Sequence, residues 1–205
     1  MSSFFDSLKI VGTAFVIVAI ILIIDAIFTI VLGFVDVNED IRGDIESDKW
    51  LAYCVIGGIG SLVCAVLYTM FATKVYKGQY SEKIVILEQY VRIVGITVVL
   101  GGIFNAFASV AGGEDIGVAL VGAILGIVIG LLIIFIASKI NDGKQTVGDK
   151  IIWIILLIAF ILLLIISVLQ VFALVGIIDG IAHILIALFM IAVLFDSDVK
   201  SKMNM

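Results

Sequence analysis

The chain has 205 residues, of which 63% are apolar and 14% are charged, and its mean hydropathy is +1.35. Soluble domains contain about 25% charged residues, so this composition excludes a water-soluble fold. The net charge of −5, the single histidine and the two cysteines argue against a nucleic-acid surface, a disulfide scaffold and a multi-ligand metal site. The composition predicts an all-α integral membrane protein in a lipid bilayer.

Six apolar stretches reach or approach the length of about 20 residues that a helix needs to cross a hydrocarbon core of about 30 Å. The partly polar segment 82–92 precedes the third stretch and is predicted to continue the same helix. The sixth stretch is short, so the turn at 176–180 is predicted to be tight. The spans predicted for this single membrane domain, 1–205, are 10–34, 51–73, 93–111, 116–138, 151–175 and 180–195.

Basic residues are sorted by side. Ten of the twelve lie on one side of the predicted spans, and only Arg42 and Lys49 lie on the other, among nine acidic residues. Cytoplasmic loops retain positive charge during insertion, so both termini are predicted to be cytoplasmic and the chain to lie in the cell membrane with an acidic outer face.

A weak internal repeat relates the second span to the fourth. A shift of 65 residues gives seven identities in the 23 positions from Gly57 to Gln79. Segments 23–31, 103–111 and 168–176 of the odd-numbered spans also align. The pattern predicts three parallel helical hairpins around a pseudo-three-fold axis, an arrangement of repeats found in transporters.

Three polar residues occupy matching places in the odd-numbered spans: Asp25, Asn105 and Gln170. An aspartate at the centre of a spanning helix costs about 2.5–3.5 kcal/mol on insertion scales, so Asp25 should face water or a partner and not lipid. These side chains are predicted to line a path for an ion or small solute. Alternatively, they are hydrogen-bonding contacts between helices.

Small residues recur at every fourth position of the second and fourth spans. Such ridges let helix backbones approach closely in a membrane. They favour either packing within the chain or a seam between copies in a homo-oligomer. The two ridges are Gly57, Ser61 and Ala65, and Gly122, Gly126 and Gly130.

Two polar pairs with i, i+4 spacing are candidate gates at the two membrane surfaces. Glu88 and Arg92 lie where the third span meets the cytoplasm, and Asp179 and His183 lie at the outer start of the sixth span. The alternative interpretations are an interfacial ion pair and a helix cap beside an interfacial histidine.

The outer loop after the first span begins like a calcium-binding loop but lacks two residues that such a loop requires, because Ile41 and Ser47 replace glycine and glutamate. The spacing of Val37, Ile41 and Ile45 predicts instead an amphipathic helix on the membrane surface. No motif for catalysis, a metal or a cofactor is present, and the chain is predicted not to be an enzyme.

Two function classes remain. The first is a small channel or transporter unit that uses the intramembrane polar residues. The second is a non-transporting assembly subunit that associates with copies of itself or with another membrane protein through the glycine ridges. The sequence names neither a solute nor a partner.

Overall fold

The computed structural model describes residues 8–80, 82–144, 146–172 and 177–205. Within these ranges the chain forms helices joined by short turns. In chain order they are α1 (Leu8–Leu32), α2 (Glu39–Arg42), α3 (Ser47–Tyr76), α4 (Lys83–Ala111), α5 (Ile116–Ile140), α6 (Val147–Phe172), α7 (Ile177–Leu194) and α8 (Ser197–Lys202).

Five helices, α1, α3, α4, α5 and α6, are long and apolar enough to cross a membrane. Each of them leaves large apolar side chains exposed, a surface suited to lipid and not to water. The chain therefore has the architecture of an all-α, multi-pass membrane protein. The apolar segment His183–Leu194 of α7 is shorter than a bilayer requires, and the sixth crossing stays a prediction.

The predicted spans fall within these helices to within a few residues at each end. The prediction that 82–92 continues the third span is confirmed, because α4 runs without a break from Lys83 to Ala111. α3 is longer than predicted, since hydrogen bonding of its backbone continues beyond the apolar segment at both ends. The prediction of a tight turn at 176–180 is wrong for residues 177–180, which form the first turn of α7, and residue 176 lies outside the described residues.

The loop between α1 and α3 differs from its prediction. The expected amphipathic surface helix is reduced to the single turn α2, in which Asn38 caps the backbone N–H of Ile41. Gly43 follows with φ +63°, a conformation that stops the helix. α8, which the apolar pattern did not predict, begins at the side-chain cap Asp196.

The chain divides into two compact units, and the boundaries fall inside α1, α3, α4 and α5. Unit 1 comprises residues 1–19, 69–92 and 135–205, and unit 2 comprises residues 20–68 and 93–134.

Unit 1 has an aromatic core. Phe15 is fully buried, and its ring centroid lies 5.0 Å from that of Phe71 and 6.4 Å from that of Phe189. Tyr90 extends the cluster to Phe160, at 6.1 Å. These rings join α1, α3, α4, α6 and α7 within this unit.

Unit 2 is built from helices that approach each other at glycines. Neighbouring helices are antiparallel, because residues with increasing numbers on one helix contact residues with decreasing numbers on the next. The contacts define the order α1, α3, α4, α5, and they include Gly58 with Ile30 between α3 and α1, Gly60 with Phe104 between α3 and α4, and Gly126 with Gly102 between α5 and α4.

Each unit also contains one tryptophan that binds the end of a neighbouring helix. In unit 2, the Trp50 indole nitrogen donates to the carbonyl oxygen of Leu32, the last residue of α1, over 3.1 Å. In unit 1, the Trp153 indole nitrogen donates to the carbonyl oxygen of Leu194, the last residue of α7, over 2.8 Å. The Leu32 carbonyl also accepts the backbone N–H of Val35 over 3.1 Å, and each tryptophan adds a donor to a terminal carbonyl that its own helix does not supply.

Candidate functional site

Asp25 lies on α1 with its side chain exposed. It is seven residues from Leu32, so it is about 10 Å along the axis from that end of the helix. Among the described residues its carboxylate has no hydrogen bond or ion pair, and the bond from Thr29 goes to the backbone carbonyl of Asp25. Within the described chain, Asp25 therefore lacks the side-chain hydrogen bond to a neighbouring helix that the packing interpretation expects.

Asn105 is also exposed, six residues or about 9 Å from the Ala111 end of α4. The Leu32 end of α1 and the Ala111 end of α4 are the same end of unit 2, because α3 is antiparallel to both. Asp25 and Asn105 thus lie at closely similar depths.

The contacts of α4 determine the direction of Asn105. Successive residues turn by about 100° around a helix, which puts Asn105 about 60° from Gly102 on one side and about 60° from Ala108 on the other. Gly102 packs on Gly126 of α5, and Ala108 faces Gly57 of α3. Asn105 therefore projects between α3 and α5.

The helices α1, α3 and α4 form a corner. On α3, the sector with Cys54 and Gly58 contacts α1, and the sector with Gly57 and Gly60 contacts α4. These sectors are about 110° apart around the axis. We call the side of the corner that lies between α1 and α4 its inner side. Each helix is right-handed, so Asp25 is turned about 100° around α1 from its neighbour Ala26. This rotation directs Asp25 toward the inner side of the corner, which is also the side of Asn105.

Gln170, the third predicted member of the path, lies near the end of α6 in unit 1 and is half-buried. Asp25 and Asn105 are thus exposed on one side of unit 2, whereas Gln170 is half-buried in unit 1.

The glycine ridge of α5 is used for packing within the chain. A Cβ atom placed on Gly130 would lie 2.7 Å from the carbonyl oxygen of Gly95, and one placed on Gly126 would lie 3.0 Å from the Cα of Gly102. Gly122, at the end of the same ridge, is exposed and has nothing within 4 Å of that position. Within the described chain, Gly122 is therefore the one residue of this ridge that is left uncovered and could contact another protein.

The ridge of α3 also contains both packed and exposed residues. Gly57 faces Ala108 of α4, because a Cβ atom placed on this glycine would lie 3.8 Å from the Cβ of Ala108, and Ala65 is fully buried. Ser61 between them is exposed. Positions matched by the repeat thus differ in surroundings, because Gly57 has a neighbour where Gly122 has none. The three-fold repeat stays a prediction.

The candidate gates have different outcomes. Arg92 Nη2 contacts Glu88 Oε1 at 2.6 Å, so the i, i+4 ion pair forms, as the interfacial interpretation expects. His183 is half-buried and interacts with other groups. The side chain of Asp179 lies outside the described residues. Gating by either pair stays a prediction.

A cluster of ion pairs in unit 1 was not predicted from the sequence. Lys83 at the start of α4 contacts Asp196 at 2.6 Å, and Lys202 of α8 contacts Glu82 at the same distance. The hydrogen bond from Lys83 lowers the pKa of Asp196 below its ordinary value. The pairs border a surface cavity of about 520 Å³. Their partners are more than 100 residues apart, so no local pattern could have indicated them.

The described interior contains few polar groups. The buried polar residues in this part of the chain are Asp149 and Ser167. Asp149 accepts a hydrogen bond from the backbone N–H of Thr146 at the start of α6, and Ser167 donates to the carbonyl of Leu163. Both are thus hydrogen-bonded within or next to their own helix.

Comparison with known proteins adds no relative. No family model matches the chain, and no curated protein or solved structure matches it. Within the described ranges, no group of three or more histidine, cysteine, aspartate or glutamate residues is arranged to hold a metal ion.

Proposed function

We propose that this protein is a small membrane channel or transporter unit whose solute path passes Asp25 and Asn105. The single observation that carries the proposal is the exposed carboxylate of Asp25, about 10 Å from the end of an apolar helix and without a polar partner among the described residues. A carboxylate facing lipid at that depth is unfavourable, so its surroundings have to be polar.

The direction of Asn105 supports the same proposal. An amide on the inner side of the corner formed by α1, α3 and α4, at nearly the depth of Asp25, gives this side a second polar group. Asparagine both donates and accepts hydrogen bonds, which lets it replace part of the water shell of a solute. By contrast, Phe107, two residues further on α4, is exposed and apolar and suits lipid.

The alternative, a non-transporting assembly subunit, has less support from the packing. Its proposed seam was the pair of glycine ridges, and Gly126 and Gly130 already pack against α4. Gly122 and Ser61 remain as exposed small residues on which a copy or another membrane protein could pack. The predicted topology, with both termini in the cytoplasm, is kept in either case and places Asp25 nearer the outer surface.

The test is reconstitution of the full chain into lipid vesicles with a panel of solutes inside: K⁺, Na⁺, protons, Cl⁻ and glycerol. We expect flux of at least one of them above that of empty vesicles. Asn105→Leu should lower this flux at least about tenfold, whereas the matched change Phe107→Leu on the lipid-suited side of α4 should leave it unchanged.

Absence of flux for every solute in the panel, with correctly inserted protein, would contradict the proposal. The assembly subunit would then be favoured, and it makes its own prediction: Gly122→Leu should reduce the size of a complex on native gels while the chain still inserts.

A further inference from the structure

We infer that the solute is a small cation, an inference that rests on the proposed function and specifies its substrate class. The charges of the two units differ in sign. Unit 2 contains nine acidic and two basic residues, a net charge of 2 − 9 = −7. Unit 1 contains eight acidic and ten basic residues, a net charge of 10 − 8 = +2, and the two values add to the −5 of the whole chain.

Within the membrane-spanning parts of unit 2, the sequence has one charged side chain. Residues 20–32, 50–68, 93–111 and 116–134 contain Asp25 and no other aspartate, glutamate, lysine, arginine or histidine. The two basic residues of unit 2, Arg42 and Lys49, belong to the segment around α2 and the start of α3. Lys49 is already paired with Glu46 at 2.9 Å.

Asp25 therefore has no counter-charge within the spans of unit 2, and no described residue forms an ion pair with it. An anion on the same side of the corner would be repelled by the carboxylate, and the repulsion would be strong where water is scarce. A cation gains the corresponding attraction, and Asn105 can supply a carbonyl oxygen as a second ligand. The geometry thus provides oxygen atoms, the ligand type of small hard cations.

The acidic segments of unit 2 attract cations to the protein surface before these ions reach Asp25. Residues 36–48, with Glu114 and Asp115 between α4 and α5, carry eight of the nine acidic residues. Exposed charges of one sign raise the local concentration of the opposite ion, an effect that salt screens over about 10 Å at 0.1 M. This contribution changes the rate of entry and not the identity of the site, which depends on Asp25.

The experiment uses the same vesicles and compares K⁺, Na⁺ and proton flux with Cl⁻ and glycerol flux, for the natural chain, Asp25→Asn and Asp25→Glu. We expect flux of at least one cation, a loss of at least about tenfold in Asp25→Asn, and recovery of most of the flux in Asp25→Glu. Folding of each variant is checked by its thermal unfolding in detergent, which is expected to be unchanged because Asp25 has no described partner.

Each other outcome overturns a different statement. Cl⁻ or glycerol flux without cation flux would overturn the cation assignment and leave the transport proposal standing. Cation flux that Asp25→Asn leaves unchanged would remove Asp25 from the site and overturn this inference. No flux of any solute in the panel would overturn the transport proposal itself, and the inference with it.

Discussion

Units 1 and 2 use different means to hold apolar helices together. In unit 1, rings around Phe15 fill the space between helices, and ion pairs such as Lys83 with Asp196 join segments distant in sequence. In unit 2, glycines bring backbones into direct contact, as Gly102 and Gly126 do. Aromatic rings fill the volume between helices, whereas glycine contacts leave neighbouring positions such as Asn105 open.

This difference explains where the candidate site lies. The intramembrane carboxylate Asp25 and the amide Asn105 both belong to unit 2, the unit with glycine contacts and a net charge of −7. Unit 1, with its aromatic core and its ion pairs, is suited to stability. The comparison predicts that substitutions in unit 1 change mainly the free energy of unfolding. Replacement of the polar residues Asp25 and Asn105 in unit 2 should change mainly the solute flux.

The largest expected effect on stability belongs to the aromatic core. Phe15→Ala removes a fully buried ring that contacts Phe71, Tyr90 and Phe189, and it should destabilise the protein by about 3 kcal/mol. Phe107→Ala, at a position that is 63% exposed, is the matched control and should change it by less than about 1 kcal/mol. Unfolding in detergent, followed by circular dichroism, measures both. Equal effects would show that the ring cluster does not stabilise unit 1.

A smaller effect is expected at the glycine contacts of unit 2. Gly130→Ala places a methyl group against the carbonyl of Gly95 and should destabilise the protein by about 1–3 kcal/mol, because both backbones have to separate. Gly122→Ala has open space and should have little effect or a stabilising one, since alanine favours helix. The same unfolding measurement compares the two. A harmless Gly130→Ala would mean that α4 and α5 do not pack this closely.

The smallest effect is expected from the ion pair between Lys83 and Asp196, and it depends on pH. Because the folded-state pKa of Asp196 is lowered, its contribution to stability is present above the ordinary value near 3.8 and is lost as the pH falls through the lower folded-state pKa. The contribution should be below about 1 kcal/mol, since the pair is partly exposed. Asp196→Asn should therefore flatten the decline in unfolding midpoint as the pH falls below about 4. An unchanged slope would contradict this role of the pair.

Much of the fold could be predicted from local sequence, and most of the contacts could not. The lengths of apolar runs located the long helices, and the polar approach to α4 was recognised because an uninterrupted helix can leave the membrane. The ridge Gly122, Gly126 and Gly130 indicated close packing, but periodicity alone does not say which helix provides the other surface. The structure supplies that partner through Gly95 and Gly102 of α4.

Two errors have a common physical cause. Val37, Ile41 and Ile45 have helical spacing, yet α2 ends at Gly43, where a positive φ outweighs the apolar pattern. α8 has little apolar periodicity, yet it forms because Asp196 caps it and because Val199 and Met203 are buried. In short segments, helix ends and tertiary contacts decide the structure, and periodicity is a weak guide.

The proposed path requires that Asp25 face a polar, water-accessible space in spite of its depth in α1. Cysteine accessibility tests this requirement most directly, in a chain whose own cysteines are replaced through Cys54→Ala and Cys64→Ala. We predict that Asp25→Cys in native membranes reacts with a charged, membrane-impermeant thiol reagent, and that Ile24→Cys, at the adjacent exposed position on the apolar side, does not. If Asp25→Cys is as unreactive as Ile24→Cys, Asp25 faces lipid or a protein partner, and the solute path is contradicted.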